Sequence, residues 1–265
     1  MAEFVTTELL TDDVDDAVRR VAVLRLSRPP MNLVTAQVVR ELADAAEALA
    51  ANSEVAAVVL YGDERVFSAG DEMTELAELG AAQAEAIAED LRLGLDCLAR
   101  LPQPTVAAIS GYCLGGGLEL ALGADRRIIG DNVKLGMPQI LAGLIPLSGI
   151  PRLVSLIGPG AAKDLVYTGR FVEADEAEAL GLVDEVVAPD DVYTAAVAWA
   201  RQFTGGPAVA LAAAKAVFEA QSASEAGTRA GGRAQWSRLF GTEDRAIGTR
   251  SYRADGPGAA AFVGR

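Results

Sequence analysis

The segment Gly115-Gly116-Gly117-Leu118-Glu119-Leu120-Ala121-Leu122 sets one carboxylate among apolar side chains directly behind three glycines. Ahead of it, Thr105–Ile109 is a short apolar run of small and β-branched residues, the composition of a buried strand, which the glycines bring to an end. A sharp turn follows, and the next residues read as a helix start whose first N–H groups have no intrahelical partners. Free N–H groups in such a turn can hold an oxygen anion. Glu119 in that first helical turn is pulled two ways, because a helix N-terminus lowers a carboxylate pKa while burial among Leu118, Leu120 and Leu122 raises it. The balance is an ionised but poorly solvated group, which suits a general base. A solvated glutamate that only complements the helix dipole is the plainer alternative.

Composition narrows who else could move a proton. The 265 residues include no His, which excludes a Ser/His triad, a His base and His-ligated zinc. The two cysteines, Cys97 and Cys113, are too few for a disulfide scaffold and lack metal-ligand spacing, and they fit a reducing, cytoplasmic setting. A formal charge of −14 repels polyanions, so nucleic acid is not an expected partner. The acidic N-terminus through Asp13 has neither the basic start nor the apolar core of a signal peptide, and no stretch reaches the roughly 20 apolar residues of a membrane span. These features predict a soluble protein with no membrane partner.

The elements that must position Glu119 follow from periodicity. Val21–Leu26 reads as a strand that stops at Pro29-Pro30, and Val55–Tyr61 as a second strand. Between them, Val38, Val39, Leu42, Ala45, Ala46 and Leu49 recur at helical spacing within 35–52, with Glu41, Asp44 and Glu47 opposite. A long helix is predicted over 81–101, strands over 127–130 and 183–187, and helices over 159–167 and 174–180, the latter stopped by Gly181. After Pro189 the chain reads as helical over 192–203, 208–221 and 225–240, with a linker at Gly205-Gly206-Pro207 and a loose tail over 256–264. Strands alternating with helices predict an α/β fold around a parallel or mixed sheet. The expected division is an α/β body over residues 1–205 and a helical region over 206–265.

Two further segments give this arrangement a relative. Phe67-Ser68-Ala69-Gly70-Asp71 and Ile109-Ser110-Gly111-Tyr112-Cys113-Leu114-Gly115-Gly116-Gly117-Leu118-Glu119-Leu120 resemble the crotonase, or enoyl-CoA hydratase/isomerase, superfamily. Leu26-Ser27-Arg28-Pro29, Ile140 to Pro146, Thr168-Gly169-Arg170, Ala179 to Val183 and Phe240 to Arg245 extend the resemblance over nearly the whole chain. It implies a crotonase-like fold of repeated ββα turns, a C-terminal helical region that builds homotrimers or hexamers, and an acyl-CoA thioester as ligand. No separate cofactor is implied, since coenzyme A is part of the substrate.

By the same resemblance, the backbone N–H groups of Asp71 and Gly116 form an oxyanion hole for the thioester oxygen, and Glu119 activates water. One such donor is typically worth about 3–4 kcal/mol in a transition state. Arg65 falls where a basic residue reaches the CoA phosphates, Arg28 lies near the adenine side, and Ala69 lines the adenine pocket through its backbone. Met73, Leu76, Leu79 and Leu141 line the acyl pocket or belong to the core. Glu72, Asp125 and Arg152 are expected in structural pairs.

One position departs from the pattern, because Gln139 stands where the family keeps a second glutamate. An amide cannot donate a proton as an acid, although it can hold water. The loop 146–152 is also one residue shorter than the family's. Three readings stay open: a hydratase, an isomerase or other enolate-type acyl-CoA enzyme, and an acyl-CoA-binding protein with reduced catalysis.

Overall fold

The computed structural model describes residues 2–11, 19–223, 226–256 and 258–263, and side chains outside 221–231. Asp12 and Asp13 of the acidic N-terminus, Glu225 at the expected helix start, and Pro257 and Gly264 of the expected tail lie outside the described residues.

The first half of the chain runs β1 (Val5–Leu9), β2 (Arg20–Leu26), α1 (Ala36–Ala50), β3 (Val55–Tyr61), α2 (Met73–Glu78), α3 (Ala81–Leu95) and β4 (Thr105–Ile109). Then come β5 (Tyr112–Leu114), α4 (Gly116–Leu122), β6 (Arg126–Gly130), β7 (Lys134–Gly136) and a 3-10 turn over Pro138–Ala142. The second half runs α5 (Gly149–Thr168), β8 (Phe171–Glu173), α6 (Ala174–Leu180), β9 (Glu185–Val187), α7 (Val192–Arg201), α8 (Ala208–Ala223), α9 (Ala226–Leu239) and α10 (Glu243–Asp255).

A six-stranded sheet has the order β1-β2-β3-β4-β6-β9, and β5-β7-β8 form a smaller one. Only β1 is antiparallel in the large sheet. Its strands bury both faces with period two: Ala22, Leu24, Val58, Leu60, Ala107 and Ile109 face the main core, while Val21, Val23, Ala57, Val59, Val106 and Ala108 meet α7. This is why β3 is buried at every position and reads as a continuous apolar run.

Several elements differ from the sequence-based expectation for physical reasons. The helix expected over 81–101 ends at Leu95, where Asp96 caps it and pairs with Arg92 at 2.8 Å. Gly94 lies against α1 so closely that a Cβ there would meet Val39 Cγ1 at 2.2 Å. The helix expected over 159–167 is the second part of α5, after a break at Gly158, whose φ of +74° is non-helical; the part from Gly149 before the break was not expected. The strand expected over 183–187 starts at Glu185. The three-residue strands β5, β7 and β8, and the helices α2 and α10, are too short or too polar for periodicity to reveal.

The C-terminal helices pack on the α/β body. Lys215 of α8 is buried and donates to Leu98 O, Gln103 O, Thr105 Oγ1 and Asp125 Oδ2 at 2.8–3.2 Å. Helix α9 lies along α3, and Arg245 of α10 donates to Ala77 O and Leu79 O, closing the end of α2. The residues expected in structural pairs are so engaged: Glu72 with Arg28, Asp125 with Lys215, and Arg152 with Glu219 and Asp96. Among the described residues no helix is long and apolar enough to cross a membrane.

Candidate active site

The site begins where β4 ends. After Ile109 the chain turns at Gly111, forms β5, and enters α4 through Gly115, whose φ of +50° an ordinary side chain resists. A second segment, residues 67–72, runs alongside like an extra strand. Its Ser68 N–H donates to Tyr112 O at 2.9 Å, Leu114 N–H donates back to Ser68 O at 3.0 Å, and Glu72 N–H donates to Val34 O at 2.9 Å. Buried Asn32 holds the same segment from behind, its Nδ2 donating to Val66 O and Phe67 O. Close approach explains the last glycine of the run: a Cβ on Gly117 would lie 2.7 Å from Ser68 Cβ. The two motifs read from the sequence are therefore adjacent in space because they hydrogen-bond to each other.

Glu119 projects from the first turn of α4 and is 2% exposed. Its Oε2 accepts from Ser148 N (2.6 Å), Gly149 N (2.7 Å) and Ser148 Oγ (3.2 Å), and its Oε1 from Leu147 N (3.2 Å) and Gln139 Nε2 (3.1 Å). The carboxylate thus caps the N-terminus of α5 as well as facing the cavity. Burial and then the charge of Asp71 push its pKa up to about 7, against the lowering effect of the Ser148, Gly149 and Leu147 N–H groups. A group poised there is half-ionised at neutral pH.

Asp71 stands on the other side of the glycine turn. Its Oδ2 accepts from Gly116 N–H at 3.1 Å. Burial raises its pKa, opposed by hydrogen bonds from the Gly116 N–H, its own N–H and the Gln139 amide. One of the two N–H groups read as an oxyanion hole is therefore met by a carboxylate oxygen of the protein itself, at the place expected for a thioester oxygen. Gln139 lies between the two acids, buried, with its Oε1 lacking any partner.

These groups form the polar end of a cavity of about 410 Å³. The rest of its wall is mostly apolar, including Val39, Leu76, Leu79, Ile87, Leu91 and Trp236. Leu76 and Leu79 line it as expected; Met73 and Leu141 do not. Met73 packs partly buried against the main core, and Leu141 lies against Gly169, where a Cβ would meet its Cγ at 2.9 Å. Ile87, Leu91 and Trp236 were missed because α3 and α9 are distant in sequence, and only packing brings them to the α4 turn. Arg28 pairs with Glu72 at 3.3 Å and sits over the Phe4 ring, so it is already engaged at the cavity rim. Arg65 is exposed at the bend before Phe67, and Ala69 is partly exposed, its N–H bonded to Met31 O. No cluster of three or more His, Cys, Asp or Glu among the described residues could hold a metal ion.

A family model described as enoyl-CoA hydratase/isomerase matches residues 16–254. The chain belongs to the enoyl-CoA hydratase/isomerase family. A relative from Mycobacterium tuberculosis (strain ATCC 25618 / H37Rv), named "Probable enoyl-CoA hydratase EchA17", is 55% identical over 215 residues, 81% of each chain. Its namesake from Mycobacterium avium (strain 104) is 53% identical over 219 residues, 82% of this chain and 84% of that protein. Among solved structures, an enoyl-CoA hydratase from Mycobacterium avium subsp. paratuberculosis K-10 superposes with a TM-score of 0.83 at 24% identity, covering 99% of this chain and 100% of that one. One from Bacillus anthracis superposes at 0.74 with 28% identity over 99% and 100%. The mixed α/β architecture is the crotonase fold of this enzyme family, as the motifs implied.

Proposed function

We propose that this protein is an enoyl-CoA hydratase, a lyase that adds water across the 2,3 double bond of an acyl-CoA thioester. The observation that carries the reading is a buried carboxyl, poised near neutral pH, between a glycine turn with an inward N–H and an apolar cavity. The thioester oxygen takes the Gly116 N–H now met by Asp71, joined by the Asp71 N–H, so that negative charge developing on it is stabilised. Glu119 takes a proton from water as the oxygen bonds to the β carbon. Gln139 Nε2 holds Glu119 in place, and its unpartnered Oε1 offers an acceptor to the water or to the new hydroxyl. The apolar wall of α2, α3 and α9 takes the acyl chain.

The reading extends outward. Arg28, Arg65 and Ala69 lie on the side assigned to coenzyme A, which arrives as part of the substrate, so no separate cofactor is needed. Residues 206–265 serve assembly into a trimer or hexamer, which the exposed Val209, Val217 and Phe218 of α8 support. A cytoplasmic setting fits the free buried thiols. Purified protein is expected to bleach the conjugated absorbance of a short 2-enoyl-CoA, and Glu119→Gln to lose about 10²–10⁴-fold in rate. Appearance of that absorbance from a 3-enoyl-CoA would favour isomerisation instead, and binding without turnover would overturn the hydratase reading in favour of a binding protein.

A further inference from the structure

Hydration needs two proton events, one at water and one at the α carbon, and the family's second acid is absent at position 139. Another carboxyl is nevertheless present in the same cavity. Asp71 and Glu119 both line it, each is close to the Gln139 amide, and the charge of Asp71 opposes ionisation of Glu119 through space. The backbone fixes Asp71: Val34 N–H donates to Gly70 O and Glu72 N–H to Val34 O, so the residue cannot drift from the glycine turn. The turn in turn is built to receive its side chain. A Cβ on Gly115 would come within 2.6 Å of Asp71 Oδ2, and one on Gly116 within 2.7 Å of Oδ1.

We propose that the Asp71 side chain is the second proton-handling group of this enzyme, supplying the α-carbon proton that an acid at position 139 would otherwise provide. The inference rests on the hydratase reading above. Its geometric basis is that Asp71 Oδ2 occupies the place of the thioester oxygen, and the α carbon is only two bonds from that oxygen. When the thioester takes the Gly116 N–H, the carboxyl gives up that position by rotating about its own side chain, while the backbone keeps it at the glycine turn. Two carboxyls sharing a poorly solvated cavity do not both ionise readily. In the free protein the charge of Asp71 keeps the shared proton on Glu119. Once the thioester takes the Gly116 N–H that lowers the Asp71 pKa, the proton passes to Asp71 and leaves Glu119 as the base.

The step balances. Glu119 carboxylate removes a proton from water as the C–O bond forms at the β carbon, and the π electrons move to the thioester oxygen. That enolate then re-forms its carbonyl as the α carbon takes the proton of neutral Asp71, breaking the Asp71 O–H bond. The proton gained by Glu119 returns to Asp71 through the cavity water, and the net change is addition of one water. By microscopic reversibility, Asp71 carboxylate is also the group that removes an α proton from a bound acyl-CoA.

The test measures two reactions in wild type, Asp71→Asn and Glu119→Gln: hydration of a short 2-enoyl-CoA, and exchange of the α protons of butyryl-CoA in D2O, read by mass spectrometry. Asp71→Asn is expected to lose both, with hydration kcat down about 100-fold and KM changed only a few-fold. Glu119→Gln is expected to lose hydration and keep exchange. Adding Gln139→Glu to Asp71→Asn should restore at least tenfold of the lost kcat, which a folding defect would not permit. Unchanged kcat in Asp71→Asn, or a lower KM with higher kcat/KM because the side chain only obstructed the oxyanion hole, would overturn the proposal. So would loss of exchange in Glu119→Gln alone. Wild-type hydration with any of these results sinks the role of Asp71 but leaves the hydratase standing. Exchange that depends on Asp71 without any hydration would sink the hydratase reading instead, and a wild type that does neither sinks both.

Discussion

The β4–α4 unit carries a cluster of ionisable groups at each end, and the two are built in opposite ways. At the start of β4, Asp125 Oδ2 accepts from Thr105 N (2.7 Å), Thr105 Oγ1 (2.9 Å) and Lys215 Nζ (2.8 Å), while Asp125 N donates back to Thr105 Oγ1 (3.0 Å). Opposite charges meet there, and Lys215 has more acceptors than protons. At the far end, Asp71 and Glu119 are two carboxyls that would carry like charge when both ionised, share one amide, and leave Gln139 Oε1 without a partner. The first cluster lowers the free energy of one structure; the second holds two groups in an unfavourable arrangement that substrate can relieve. Like charges plus an orphaned polar atom mark a place for chemistry more reliably than burial alone.

That contrast can be broken from either end. The largest effect is expected from Lys215→Ala, which strands two buried carbonyls and unpairs a partly exposed carboxylate: about 3 kcal/mol of stability lost, seen as a lower midpoint in urea, with kcat per folded molecule unchanged. A matching loss of kcat at full stability would mean that the two ends are not separate.

The next effect is the pH dependence of the active-site end. The Glu119 carboxyl titrates near 7 when folded against an ordinary 4.5, so the folded state binds its proton more tightly. Its contribution to stability is therefore complete below the unfolded value and fades as pH rises through about 7, by up to about 3 kcal/mol, with Asp71 acting in the same sense. Melting temperature is expected to fall from pH 5 to 8 in wild type and to flatten in Glu119→Gln. Activity runs the other way on this limb, since only ionised Glu119 accepts a proton from water, and kcat/KM should climb through about pH 7. A melting profile that is identical in Glu119→Gln would show that the carboxyl is not poised.

The smallest effect is expected from Gln139→Glu alone. If Asp71 already delivers the α proton, a restored glutamate changes hydration kcat by less than about tenfold, ~1.4 kcal/mol. A gain near 100-fold would show that the missing acid limits the enzyme and that the two carboxyls at this end do not divide the work.

Much of this was legible before any coordinates, and the boundary has a physical logic. Val55–Tyr61 and Thr105–Ile109 are strands to the residue, since strands buried on both faces must be uniformly apolar. Gly181 ends α6 where expected, because a left-handed C′ position selects glycine. Elements whose existence depends on a distant partner were not legible. Strand β8 forms only because β7 pairs with it, and α10 has a mostly polar sequence that periodicity cannot distinguish from a tail.

The site divides in the same manner. Glu119 and the glycine turn could be picked out from local chemistry, because a lone carboxylate among apolar residues behind three glycines is odd for a strand or a surface helix; Asp71, Gly116 and Gln139 were picked out by the resemblance to the family. Which atoms meet could not be. Only the tertiary structure decides that Asp71 turns its carboxylate onto Gly116, that Glu119 caps α5, and that α3 and α9 close the apolar wall, since these contacts join segments tens of residues apart. Sequence alone determines which residues carry charge, which turns require glycine and where apolar runs begin. The pKa of a carboxyl and the shape of a cavity are set by neighbours that chain order does not specify.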